Sequence, residues 1–461
     1  MPFLRPGAKK LIATAIIFAW YALAAASRIT VDADGDASYT SFDAVLGAIA
    51  TGTVSPDTIE FIGDDIDTYT MTTYLGDKGQ TTVVIKSNQT NPDSFPVINH
   101  TSNDYVNWFS YADVFFENLT FTGTKNFRAI GNKTITFSNC CIRDFSGKDG
   151  YLIQTENPGT QVLNITNCLF EGNNGTPGVL YLNNFDPCFT VTTIVNCTFD
   201  GNSKVFNLDN IANSYNLTIK NCIFSNNASI FQGDNFRSKV TYSLTSESIA
   251  NYGTGCVSNS DPLYVTATRN NPVDWKIQAS SPAKDIGTST DAPAKDLAGE
   301  NRPALIDAGC FEYIPPKMTW DVSTSTGIQA GNGTWGTDNY WTTDGTTLEA
   351  WPGADYIAEF SGSNSEYTVT VSGTQYADSL VFSRSGYTIS SGTLSLGGSA
   401  GIYISSGKSA TIASQISGSD GLDYWGIGTL TLSASNNYTG ATNIKAGTLA
   451  LTGSLSPPAA Q

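Results

Sequence analysis

Five times between residues 116 and 224 the chain returns to one phrase. The copies are Phe116-Glu117-Asn118-Leu119-Thr120-Phe121, Phe137-Ser138-Asn139-Cys140-Cys141-Ile142, Ile165-Thr166-Asn167-Cys168-Leu169-Phe170, Ile194-Val195-Asn196-Cys197-Thr198-Phe199 and Ile219-Lys220-Asn221-Cys222-Ile223-Phe224. Their Asn residues stand 21, 28, 29 and 25 positions apart. A period of that size with a variable remainder is the mark of a solenoid whose coils carry loops of different lengths. Each phrase reads as a strand too short to be stable alone, so its apolar residues need a coil above and a coil below. Stacking predicts one column of Asn118, Asn139, Asn167, Asn196 and Asn221, and beside it a column of Cys140, Cys168, Cys197 and Cys222. A buried Asn can hand its amide hydrogen bond to the Asn of the next coil, so this column is an Asn ladder with a structural role. The cysteine column has two readings, stacked thiols and disulfides between coils, and the first is favoured because free Cys behaves as a small hydrophobe.

A second strand recurs between the phrases, as Phe127-Arg128-Ala129-Ile130, Tyr151-Leu152-Ile153-Gln154, Val179-Leu180-Tyr181-Leu182, Lys204-Val205-Phe206-Asn207-Leu208 and Ser229-Ile230-Phe231-Gln232. The corners repeat Phe-x-x-Asn, from Phe170 to Asn173, Phe199 to Asn202 and Phe224 to Asn227. Two or three strands per coil with polar corners describe an all-β chain built as a right-handed parallel β-helix. These phrases and corners resemble the β-helix repeats of pectate-lyase-like proteins and of the chlamydial polymorphic outer-membrane proteins, although the GGAI element of the latter is missing.

Residues 1–26 read as an export signal. Arg5, Lys9 and Lys10 precede the apolar run Leu11 to Ala24, which ends in small residues and is short for a membrane span. No later segment is apolar for long enough to cross a bilayer, so no transmembrane segment is expected in the mature chain. The first coils, residues 28–87, read as an N-terminal cap, with Phe42, Val45, Leu46 and Ile49 at helical spacing after Ser41 as N-cap. The run Asp32 to Asp36 has the carboxylates of a calcium loop but lacks the closing Glu and the flanking helices of an EF-hand, and reads as a turn.

Downstream, Ser260-Asp261-Pro262-Leu263-Tyr264-Val265, Asp274-Trp275-Lys276-Ile277, Ser281-Pro282-Ala283, Asp285-Ile286-Gly287, Asp296-Leu297-Ala298-Gly299, Asn301-Arg302-Pro303 and Ile306-Asp307-Ala308-Gly309-Cys310-Phe311-Glu312-Tyr313 follow in order. Together they resemble the choice-of-anchor Q segment that ends many bacterial surface β-helix proteins, which implies residues 256–313 as the close of a β-helix spanning 27–313. Cys256 and Cys310 lie outside the cysteine column and are the better candidates for a disulfide. Residues 314–318, with paired prolines, read as a linker.

From residue 319 to 461 the composition shifts to Gly, Ser and Thr, and short alternating strands at Tyr367 to Val371, Ser379 to Phe382, Tyr387 to Ile389, Thr393 to Leu396 and Gly401 to Ile404 predict a second β-solenoid-like domain. The stretch Gly426 to Leu451 is similar to the autotransporter-associated β-strand repeat, with Trp320, Trp335, Trp341 and Phe360 as its lead-in. The resemblance implies a secreted or surface location in a bacterium. The aromatic residues of this part have two readings, stacking on sugar rings or packing of the first coils.

The formal charge of −17 opposes a polyanionic partner, so nucleic acid is not expected. The leading functional reading is an adhesin-like surface protein that displays an elongated face to a polysaccharide or cell-surface ligand, with no cofactor. The alternative is a polysaccharide lyase or glycoside hydrolase on the β-helix face. Aligning the second strands puts Glu156, Asn184, Asp209 and Asp234 in one column, with Arg128, Lys204 and Arg237 nearby. Under that alternative Asp209, Asp234 and Arg237 are catalytic, and Glu156, Asp209 and Asp234 hold Ca²⁺. The bland reading of the same column is that Asp and Asn populate turns at strand ends. His100, the one histidine, is expected in a loop.

Overall fold

The computed structural model describes residues 28–455 except 35–36, 52, 64–66, 73–81, 102–112, 125–126, 131–132, 147–151, 157–158, 176–177, 184–187, 210–215, 232–235, 249–250, 304, 364 and 420. The expected signal at 1–26 lies outside the described residues. The chain divides into two compact units between Tyr313 and Ile314.

The first unit is a parallel β-helix of three sheets. One sheet holds nine strands in chain order from Arg28–Val31 to Val240–Thr241, a second holds nine from Thr68–Met71 to Val257–Ser258, and a third holds four, Phe127–Ile130, Ile153–Glu156, Leu180–Asn183 and Phe206–Asp209. The repeated phrase is a bend rather than the single strand expected. Strand Gly159–Thr166 ends in the first sheet, Asn167 turns, and Leu169–Glu171 begins in the second. The turn requires a left-handed backbone, and Asn118, Asn139, Asn167, Asn196 and Asn221 all have φ between 52° and 56°. Asn is the residue after Gly that tolerates this conformation most readily, which explains its recurrence.

After the bend Leu119, Cys140, Cys168, Cys197 and Cys222 point into the core, all fully buried. Phe170, Phe199 and Phe224 stack inside the second sheet with centroids 4.7 and 5.1 Å apart and planes within 10°. Phe206 and Phe231 repeat the arrangement at 4.9 Å. The parallel register forces this, since each residue sits above its equivalent at the strand spacing of about 4.8 Å. Burying a Phe in such a column is worth about 3–5 kcal/mol by the cost of truncating it to Ala.

The segment expected as a cap already contains coils, because Arg28–Val31, Thr58–Phe61 and Thr82–Ser87 are the first strands of the first sheet. Among the described residues the plug is helix α1, Phe42–Ala50, N-capped by Ser41, whose Oγ accepts from Ala44 N–H at 3.2 Å. Phe42, Val45, Leu46 and Ile49 are its buried face. His100 is not in a loop. It ends strand Val97–His100, is fully buried, and lies 5.4 Å from the Phe127 ring.

The second unit is also built of parallel coils, with its two main sheets of eight and six strands running from Lys317–Trp320 to Thr448–Leu451. Lys317 and Met318, expected in the linker, already pair with Ile357 and Ala358. Trp320, Trp335 and Trp341 are fully buried with Phe360 in one aromatic cluster, so these three indoles serve as packing and not as a sugar platform.

Candidate functional site

The acidic column proposed on the third sheet is only partly within the described residues. The backbone register pairs Asn183 with Asp209, so the partner of Asp209 is one residue earlier than the Asn184 expected. Glu156 sits opposite Ile130, and Arg128 opposite Gln154. For Glu156, Arg128 and Asp209 the backbone alone is described, and Asn184 and Asp234 lie outside the described residues. Lys204 precedes strand Phe206–Asp209, half-buried. Arg237 is placed by a separate element. It sits in a 3₁₀ turn, buried, its Nη2 3.9 Å from Glu247 Oε2, and Glu247 in turn accepts from Ile230 N–H and Tyr252 OH. A guanidinium held that way braces the end of the helix and is closed to a substrate. Among the described residues, no group of three His, Cys, Asp or Glu is placed to hold a metal ion.

Most carboxylates whose side chains are described in the last part of this unit are committed to one structural task. Residues 259–313 do not continue the stack; they run back as a strap over the outer face of the second sheet. That face is apolar where an open sheet would be polar. Cys141, Leu169, Ile223 and Leu244 point outward from it and are buried under Tyr264, Trp275, Ile277, Leu297 and Phe311. Asp200 on the sheet is the chief latch. Its Oδ2 accepts from Trp275 Nε1 and Arg269 Nη2, both at 3.0 Å, and its Oδ1 accepts from Ser225 and Asn226. Arg143 bonds Glu171 Oε2 at 2.9 Å and the Asn270 carbonyl at 2.8 Å, with its guanidinium 5.6 Å from the Trp275 ring centroid.

The strap also occupies the Asn bend. Asn167 Nδ2 donates to Asn139 Oδ1 and to Lys295 O, and Asn221 Nδ2 donates to Asn196 Oδ1 and to Thr288 O. Asn196 Nδ2 turns to the carbonyls of Asp307 and Gly309 instead, so the ladder is interrupted there by the strap. The unbroken amide relay lies at the other corner, in the Phe-x-x-Asn repeat. Asn173 donates to Asn202 Oδ1 and Asn202 to Asn227 Oδ1, each at 2.9 Å. The strap's own turns are held by Asp296, Asp307 and Glu312. Asp307 accepts from Asp285 and Tyr313 N–H, Asp296 from Glu300 and Glu312 N–H, and Glu312 pairs with Arg302 in full burial. Burial pushes the Asp307 carboxyl up to about 6 and that of Glu312 up to about 8.

No disulfide joins Cys256 to Cys310. Cys256 packs with the β-helix core against Val240 O, whereas Cys310 lies on the outside of the second sheet, its Sγ 3.4 Å from Thr198 Oγ1. The sheet wall separates them. Burial pushes the Cys310 thiol up to about 12, and those of Cys168 and Cys222 well above the ordinary value.

The second unit offers a different surface. On its eight-stranded sheet Ile402 and Tyr424 face inward, fully buried and in register, so the residues after them face out on adjacent rungs. These are Tyr403 and Trp425, 43% and 40% exposed, with Trp425 N–H bonded to Ile402 O at 3.0 Å. Lys445 takes the next rung, its ammonium 5.5 Å from the Trp425 centroid. A parallel column two residues earlier along the strands runs Gly401, Asp423, Asn443. Asn443 Nδ2 donates to Asp423 Oδ1 at 2.7 Å, and Lys445 Nζ lies 3.9 Å from Asp423 Oδ2. Nothing in the sequence reading separated Tyr403 and Trp425 from the buried Trp320 cluster. The signal was available in their alternation with Ile402 and Tyr424.

Comparison with known proteins bears on this second unit first. Residues 423–451 match the passenger-associated-transport-repeat family, over the same stretch whose repeat was legible in the sequence. The chain is 30% identical over 140 residues, 29% of its length, to the adhesin BmaC autotransporter of Brucella suis biovar 1 (strain 1330), of which it spans 4%. No solved structure matches the chain. The likeness to pectate-lyase-like proteins and to choice-of-anchor Q segments gains no support from these matches. A parallel β-helix followed by coils that carry a passenger-associated-transport repeat is the arrangement that structure and comparison together establish.

Proposed function

We propose that this chain is part of an adhesin-like protein displayed at, or released from, a bacterial surface, and that it works by presenting long lateral faces to a ligand. The observation that carries this reading is the match of its last coils to a passenger-associated-transport repeat, joined to the similarity with an autotransporter adhesin over 140 residues. The fold supports it. Parallel coils extend a surface by simple addition, and each new rung adds two or three outward side chains at no cost to the core.

Beads coated with the full chain test the reading against cultured host cells and immobilised matrix glycans. Attachment well above albumin-coated beads is expected, lost when the chain is heat-denatured before coating. Attachment no better than albumin on every surface overturns it.

A further inference from the structure

We propose that the outer face of the eight-stranded sheet in the second unit, centred on Tyr403 and Trp425, is a binding platform for a neutral polysaccharide. The inference deepens the proposed surface-binding role and rests on it.

Isolated exposed apolar residues are normal on a soluble surface and need no explanation. Here two large aromatics stand on consecutive rungs, at a strand spacing of about 4.8 Å, and Ile427, 59% exposed, lies two residues beyond Trp425. Tyr403 is 43% exposed, and Trp425, 40% exposed, carries the Lys445 ammonium 5.5 Å from its ring centroid. Within the same unit Trp320, Trp335 and Trp341 are fully buried, which sets Trp425 apart from the indoles that hold the core.

What lies beside the aromatics selects the ligand. A pyranose has an apolar C–H face and a rim of hydroxyls, and its recognition needs a flat aromatic with donors and acceptors at its edge. The column of Asp423 and Asn443 supplies these about two residues away along the strands, roughly 6.5 Å, with a carboxylate that accepts and an amide that both donates and accepts. Gly401 fills the previous rung of that column and brings no side chain. Sites of this kind combine an apolar surface with a few fixed polar groups. The mutual hydrogen bond between Asn443 and Asp423 holds both in place before a ligand arrives.

Charge narrows the class. Lys445 lies beside Asp423, so the local pair is neutral, while the chain as a whole carries −17. A polyanionic glycan would meet a repelling field and no excess of basic side chains at the platform. Uncharged polymers such as glucans or mannans fit, each sugar unit lying across the rungs.

Affinity electrophoresis of the full chain in gels containing a β-glucan, a mannan, a galactan or polygalacturonate tests the proposal, with Trp425→Ala, Tyr403→Ala and Asp423→Ala alongside. At least one neutral polymer is expected to retard the wild-type chain. Trp425→Ala should weaken that retardation tenfold or more, and the other two several-fold, with unchanged thermal unfolding because all three side chains are partly exposed. Equal retardation of wild type and Trp425→Ala, retardation by polygalacturonate alone, or no retardation in any gel each overturns it. So does loss of self-association in Trp425→Ala without any glycan binding, which would give the face to a second copy of the chain. Beads that still attach to cells while every polymer fails would retain the surface-binding role and remove this site from it.

Discussion

The two units solve the same problem of lateral faces in opposite ways. In the first, the outer face of the second sheet is apolar and lies under residues 259–313, latched by Asp200, Arg143, Arg269 and Trp275. In the second, the outer face of the eight-stranded sheet carries Tyr403, Trp425, Asp423 and Lys445 in the open. The corners differ as well. The β-helix bends at Asn with positive φ and relays amide hydrogen bonds through Asn173, Asn202 and Asn227, whereas the second unit turns largely at glycine, as at Gly373, Gly392 and Gly407. A face that is strapped contributes stability; a face left open with aromatics on it is available for contact. In the proposed reading the first unit supplies rigidity and the second recognition.

The comparison is broken most severely at the strap. Trp275→Ala removes the largest buried strap side chain and one of the donors to Asp200, and should cost the first unit about 3–5 kcal/mol in urea unfolding of the full chain. The transition of the second unit should stay in place. A shift of both together would show that the strap is not private to the β-helix.

Gly309→Ala tests how closely the strap approaches the sheet. Gly309 has φ +101°, and an added Cβ would lie 2.8 Å from Ile223 Cδ1 and 2.9 Å from Thr198 Oγ1. A loss of about 1–3 kcal/mol is expected from the backbone strain with the displaced neighbours. A stability equal to wild type would mean that the strap floats free of the sheet.

Asn202→Ala removes the middle of the buried relay and leaves Asn173 and Asn227 each short of a partner, at about 1–3 kcal/mol. Asn202 has no left-handed backbone to support, so the loss measures hydrogen bonding alone. Asn202→Asp, which places a buried carboxylate against the acceptors Phe170 O and Asn227 Oδ1, should lose at least as much as Asn202→Ala.

The smallest effect concerns pH. Burial raises the carboxyls of Asp307 and Glu312, which favours their protonated forms in the folded strap. A raised carboxyl contributes stability that is complete below its unfolded value and is lost as pH rises through its folded one. The first unit should therefore lose a few degrees of thermal stability between about pH 4 and pH 8, and Glu312→Gln should flatten the slope. An unchanged slope in that variant would place its source elsewhere.

The phrase Asn-Cys and its irregular period were enough to predict stacked coils, because a short strand with apolar residues on an inward face has no other way to bury them. Helix α1 was equally plain from Ser41, Phe42, Val45, Leu46 and Ile49, a local pattern with a local cap. The strap was visible only as an ordered set of short motifs. Their meaning depends on partners more than 60 residues away, such as Asp200 for Trp275 and Asn221 for Thr288, and no window along the chain contains both. The same holds for Cys256 and Cys310, which sit on opposite sides of one sheet.

Periodicity therefore settled the coils and their parallel stacking, since those follow from which residues must leave water and at what spacing. Which faces would be covered was a matter for the folded chain. A sheet has two sides of equal backbone geometry, and the difference between a strap over Leu169 and Ile223 and open solvent over Tyr403 and Trp425 rests on whether a segment distant in sequence packs against that side.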